Sequence, residues 1–173
     1  MTEVACKYKQ GEHENYCLFF CVASMLFYRN YKKAAKRLKG MAEGYKSVDG
    51  NQQIKDLLGF LRQHAKQFGK CVKFGRGRVS KSRKELYVSD LLDEMQDFPV
   101  LVIPRGNDGM VSHAVCVVDD LVFDSTQACA LKLTRETFDW ICGDDGCGGI
   151  WEAYMLRAWR CPDMRPPKTK PHF

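Results

Sequence analysis

Four residues of this chain have the types and positions needed for thiol chemistry: Gln10, Cys17, His113 and Asp124. A cysteine becomes a nucleophile when its anion is stabilised, a histidine stands beside it to move protons, and a third group orients the ring. Cys17 opens the most apolar helical run, 18–28, just after Asn15, a residue type that caps helices well. About two residues past a cap, free backbone N–H groups carry roughly half a positive charge. An anion there is stabilised, and the same N–H groups can donate to an oxyanion.

His113 opens the run His-Ala-Val-Cys-Val-Val, and Asp124 ends Leu-Val-Phe-Asp. Asp119-Asp120 between them predicts a two-residue turn, although Asp-Gly would be the stronger signal. With that turn, Val118 faces Leu121, Val115 faces Asp124 and His113 faces Thr126. His113 and Asp124 then become diagonal neighbours on one sheet face, their Cβ atoms within about 7–8 Å. A carboxylate so placed takes one imidazole nitrogen and leaves the other for a thiol. An odd-length turn would destroy this parity. Gln10 is the fourth candidate, because a side-chain amide shortly before the nucleophile can donate to an oxyanion. Plain alternatives stay open: Cys17 as a small core residue, His113 bonded to backbone, Gln10-Gly11 as an ordinary turn. Cys21, one helical turn below Cys17, is the rival nucleophile, and it would need the helix to begin near Phe20. His13 and His64 are poorer bases, one in the N-terminal arm and one on the polar side of a helix.

These residues must be positioned by the surrounding elements. Residues 1–14 read as an arm, and 16–39 as one helix, apolar on all sides first and then basic through Lys32, Lys33, Lys36, Arg37 and Lys39. After a loop at 40–50, Ile54, Leu57, Leu58, Leu61, Ala65 and Phe68 form one helical stripe that Gly69 ends. A short strand and a basic loop occupy 70–84, and Ser89 caps a short helix reaching Asp97. Pro99-Val-Leu-Val-Ile-Pro is a buried strand, followed by a Gly-Asn-Asp-Gly turn and the hairpin. Thr134 caps a further helix to Cys142, and 151–160 is a final strand. Helices first and an antiparallel sheet after predict an α+β fold, with the cysteine-bearing helix packed on a C-terminal sheet. Residues 1–161 read as one domain and 162–173 as a proline-rich basic tail.

At 173 residues the chain is long enough for a sizeable core. Its longest apolar run is too short to span a bilayer, and its polar, mixed-charge opening predicts no secretory signal. Nine cysteines, an odd number lying partly in apolar runs, point to free thiols in a reducing compartment, cytoplasm or nucleus. Cys142 and Cys147 have a zinc-like spacing, with Cys161 and His172 as remote further ligands, but no second pair completes a site. The net charge of +6 concentrates in Lys70, Lys73, Arg76, Arg78, Lys81, Arg83 and Lys84. That stretch is either a solvated loop or, with the basic end of the first helix (Lys32, Lys33, Lys36, Arg37 and Lys39), a phosphate-contacting surface for nucleic acid, and it could equally attract an acidic partner; it has few aromatics for base stacking.

Gln10, Asn15-Tyr16-Cys17, His113-Ala-Val-Cys-Val-Val and Phe123-Asp124-Ser resemble papain-like cysteine peptidases, closest in pattern to the bacteriocin-processing group that removes double-glycine leaders. The resemblance lies in order and topology over residues 8–142 rather than in a run of identities. It implies a papain-like fold in which Gln10 holds the oxyanion, Cys17 attacks, His113 is the base and Asp124 orients it. The sequence is also similar to peptidase-like proteins of mobile elements and viruses, in which Cys-Leu…Ala-Ser and Phe-Asp-Ser recur. It departs from the pattern at Leu18, where the family often has glycine, and in its short His-to-Asp spacing. The expectation is a thiol-dependent peptidase acting on protein or peptide, with no metal or cofactor required. The other expectations are a catalytically silent papain-like binding module and an acyl or amine transferase on the same triad.

Overall fold

The structure, a computed structural model, describes residues 3–11, 16–45, 49–63, 70–78, 99–105, 111, 113–134, 136–137 and 150–157. It has an α+β architecture: among the described residues three helices over 17–63 are followed by an antiparallel sheet whose strands run from 70 to 157, so the expected C-terminal sheet takes its first strand from the N-terminal half. Among the described residues, no helix is long and apolar enough to cross a membrane.

Helix α1, Cys17–Tyr28, is apolar around its circumference, and every residue from Leu18 to Leu26 is buried. Such a helix is stable only with neighbours on all sides. It has α2 and α3 beside it, and it lies against two strands of the sheet. The expected single helix over 16–39 is in fact two. Asn30 takes the left-handed conformation (φ 69°), and the Tyr31 N–H donates to the Leu26 carbonyl at 2.8 Å. The Asn30 N–H donates to Phe27 at 3.0 Å. Together these bonds make a Schellman stop, which asparagine tolerates better than most side chains.

Helix α2, Lys32–Glu43, folds back along α1 and buries Ala34, Ala35, Leu38 and Ala42. Helix α3, Gly50–Gln63, buries Gln53, Ile54, Leu57, Phe60 and Leu61. The expected continuation of its stripe at Ala65 and Phe68 lies outside the described residues, as does the helix expected after Ser89. A Cβ on Gly50 would lie 2.7 Å from Val111 Cβ, so only glycine lets α3 approach the segment leading into His113 this closely.

Among the described residues the sheet has six strands: β1 Lys70–Arg78, β2 Val100–Arg105, β3 Val115–Val118, β4 Leu121–Phe123, β5 Leu131–Lys132 and β6 Ile150–Arg157. Their order is β1-β6-β2-β3-β4-β5, and every pairing is antiparallel. The central strands β2 and β3 are buried, so they read as unbroken apolar runs rather than alternating ones. β5 was not expected from the sequence. Thr134 does begin a helical turn, its Oγ1 accepting the Thr137 N–H at 3.1 Å, and the rest of that expected helix lies outside the described residues.

The β3–β4 turn is the expected two-residue one. Asp119 and Asp120 have φ of 49° and 54°, as the primed hairpin turns require, and the register pairs Val118 with Leu121 and Cys116 with Phe123. The segment from His113 to Asp119 runs alongside α1, and their lengths match. The twelve-residue helix is about 18 Å long at 1.5 Å per residue. Six extended residues span about 20 Å. At the far end of α1, Arg29 pairs with Asp119 at 3.0 Å, the Tyr28 hydroxyl donates to Asp119 at 3.1 Å, and the Tyr28 ring packs on Phe123. With that end fixed to the turn, the near end of α1 arrives at His113.

Candidate active site

Cys17 is the first residue of α1 and is half-buried. The helix cap is Tyr16, one residue later than the expected Asn15, which lies outside the described residues. Tyr16 makes no side-chain cap. Gln10 supplies the missing acceptor instead, its Oε1 taking the Tyr16 N–H at 3.2 Å. Committing Oε1 to this bond turns the amide so that its two Nε2 hydrogens remain for another acceptor. Gln10 is itself held by its backbone N–H, which donates to the Ser125 carbonyl at 3.0 Å.

His113 stands between the thiol and the carboxylate. Its Nε2 lies 3.0 Å from Asp124 Oδ1, and Cys17 is near enough to the ring to act on its protonation. Asp124 is 2% exposed and His113 23%. Burial pushes the imidazole towards neutrality. The hydrogen bond to Asp124 and its negative charge, with the neighbouring Cys17, outweigh it and raise the His113 pKa to about 10. Burial likewise opposes ionisation of Asp124, but hydrogen bonds from His113 and Thr126 hold its carboxyl below the usual carboxylate range. The raised pKa of the half-buried ring favours an imidazolium on the Asp124 carboxylate.

Asp124 Oδ1 also accepts the Thr126 N–H at 2.9 Å and the Thr126 hydroxyl at 2.8 Å. The hairpin parity sets Thr126 opposite His113 but predicts no bond to Asp124. Its signal is an Asx turn, in which an aspartate accepts from the backbone two residues on. The arm was also read too loosely. Ala5 bridges Cys129, the Cys6 N–H donates to Ala128, and the Ala130 N–H donates to Val4. On its other side, the buried Ser24 hydroxyl accepts the Tyr8 N–H at 3.0 Å and donates to the Tyr8 carbonyl at 3.2 Å. Residues 3–10 thus run backwards along α1, wedged between the helix and the 124–130 segment, and deliver Gln10 to the start of α1.

The rival thiol is differently placed. Cys21 is fully buried, its Sγ donates to the Leu18 carbonyl, and burial pushes its pKa well up. It is a core residue closed off from solvent. Cys6 is also buried, and burial raises its pKa to about 11. Among the described residues, Cys6, Cys17, Cys21, Cys116 and Cys129 are free thiols, and no cluster of three His, Cys, Asp or Glu side chains could hold a metal ion. Cys142, Cys147, Cys161, His172, His13 and His64 lie outside the described residues, so the zinc and alternative-base readings gain no structural content.

Comparison with protein families, curated proteins and solved structures gave no match for this chain. The site's chemistry therefore rests on its own geometry. That geometry places His113 beside both Asp124 and Cys17, and bonds Gln10 to Tyr16, the helix cap directly before Cys17.

Proposed function

We propose that the protein is a thiol-dependent hydrolase of papain-like architecture, most simply a cysteine peptidase. The observation that supports this best is the His113 ring, held by Asp124 on Nε2 with Cys17 beside it. An imidazolium next to the sulfur favours the thiolate, the nucleophilic form. The thiolate adds to the scissile carbonyl carbon, and the oxygen takes the negative charge. The Cys17 N–H and Gln10 Nε2 donate to that oxygen. As the C–N bond breaks, His113 gives its proton to the departing amine, leaving a thioester on Cys17. Water then attacks the thioester while neutral His113 takes the water's proton, and the C–S bond breaks to restore the thiolate–imidazolium pair. No step calls on a metal or a cofactor.

Labelling with iodoacetamide across pH 4 to 9, with mass spectrometry to locate the modified cysteine, tests the assembly. The expected result is fast alkylation of Cys17 well below the usual thiol pKa of about 8.5, lost in His113→Ala. If Cys17 reacts no faster than Cys129, the triad is not active and a binding module on the same fold takes its place. An amine acceptor that consumes the acyl-enzyme faster than water does would make the protein a transferase instead.

A further inference from the structure

The arm and α2 together build a basic face whose charges the proposed hydrolase does not use. Five of the twelve residues of α2 are basic, and Glu43 is its one acid. Lys32, Lys33, Lys36 and Arg37 are exposed, fanned around the side opposite the buried Ala34, Ala35 and Leu38. Lys32, Lys36 and Lys39 recur at i, i+4 and i+7, which lines them along the edge nearest the arm over about 10 Å. The arm adds Lys7 and Lys9, both exposed.

The two segments meet on aromatic rings. Lys7 Nζ and Lys32 Nζ lie 5.3 and 5.5 Å from the centre of the same Phe27 ring, and Lys39 Nζ lies 5.9 Å from that of Tyr8. Tyr8 packs in turn on Phe20 and Phe27. Among the described residues, Lys39 pairs with Glu43 at 3.3 Å, whereas Lys7, Lys32 and Lys36 have no acidic partner. Like charges gathered on one face repel one another, a cost that a polyanion lying along them removes.

We infer that this face binds the phosphate backbone of single-stranded nucleic acid. A strand carries a charge at every nucleotide, so it matches a row of lysines without needing any particular side chain to be recognised. The half-buried Tyr8 and Phe27 rings lie within that row, where a base would stack in place of a lysine head as that lysine turns to a phosphate. An acidic protein segment fits less well. The face is a convex helix carrying point-charge lysines, whereas a peptide partner needs a groove or arginine forks to hold its side chains. This surface is separate from the basic stretch recognised in the sequence. Of that stretch, Lys70, Lys73, Arg76 and Arg78 lie on the edge strand β1, and Lys81, Arg83 and Lys84 lie outside the described residues.

The test is fluorescence anisotropy of the full chain with a labelled mixed-sequence 20-nucleotide single strand, between 50 and 200 mM salt. Binding should weaken steeply with salt. The variant Lys7→Gln/Lys32→Gln/Lys36→Gln/Lys39→Gln should bind at least tenfold more weakly, its log–log salt slope flattened by about 0.7 for each phosphate contact removed. Lys36→Glu alone, a change at an exposed position, should cause a smaller loss and covers the case where the quadruple variant melts early. Unchanged binding in both variants overturns the assignment and moves the site elsewhere, β1 included. No binding by the wild type, or equal binding of poly-glutamate, overturns nucleic acid as the occupant. Cys17 alkylation measured on the same samples reads the hydrolase separately, since none of these lysines belongs to the triad.

Discussion

The hairpin places an aspartate at each end of α1, and the two ion pairs differ in what surrounds them. Asp119 meets Arg29 at 3.0 Å with side chains 39% and 16% exposed, and Asp124 meets His113 at the same distance with 2% and 23%. Distance therefore does not distinguish the pairs, but solvent does. Water screens the Arg29 pair, whose contribution is in the range of about 0–1 kcal/mol, and its effect is to hold the helix end on the turn. Around Asp124 the water is replaced by two hydrogen bonds from Thr126. With its carboxylate aligned in a poorly solvated place, Asp124 helps to raise the pKa of His113 to about 10, the kind of shift the proposed function needs.

The largest expected effect comes from removing charge at the buried end. Asp124→Asn should lower turnover of an acyl substrate by about 10²–10⁴-fold and slow Cys17 alkylation at pH 6, while circular dichroism still shows a folded protein. If alkylation is unaffected, the buried pair is only structural and the two ends of α1 do not differ in kind. Gln10→Ala should cost about 10²–10³-fold in turnover and leave alkylation nearly unchanged, because the oxyanion forms only on a carbonyl substrate. A matching loss in both assays would show that Gln10 acts through the Tyr16 cap instead.

Smaller effects concern stability. Thr126→Val removes a hydroxyl bond to a charged acceptor and should destabilise the fold by about 1.5–3 kcal/mol in urea titrations. The pH dependence follows from the two shifts. The His113 pKa is raised from 6.5 to about 10, so its contribution is complete below pH 6.5 and is lost as pH climbs towards 10, where the folded state must give up its proton. Asp124 is shifted downwards from 3.8, so its contribution holds above that value and is lost as pH falls through the folded-state pKa. Wild-type stability should fall on both sides of a plateau between about pH 4 and 6.5, and Asp124→Asn should flatten both slopes. Arg29→Ala belongs last, with a loss of about 1 kcal/mol or less and no change in Cys17 reactivity.

Much of the site was legible from local rules. The Asp119-Asp120 turn set the hairpin parity, and a period of two then put His113 and Asp124 on one face. The apolar run from Leu18 declared α1 a central helix. The break at Asn30 was missed even though asparagine is a recognised stop residue, because the apolar-then-basic pattern continued across it. The cap was misread by one residue, since the group that satisfies Tyr16 comes from Gln10 six positions earlier. β5 and the Ala5–Cys129 bridge had no local signal, as such short pairings exist only when distant segments already lie side by side.

The sequence by itself determined which residues could do chemistry, the parity of the hairpin and the burial of α1, since these depend on residue type, turn length and periodicity over a few neighbours. Only the tertiary structure decided that Cys17 rather than Cys21 meets His113. That choice depends on a helix of about 18 Å lying beside an extended segment of about 20 Å, pinned at Asp119. It also decided that Thr126 and the arm complete the site, because burial and the meeting of remote segments are properties of the packed chain.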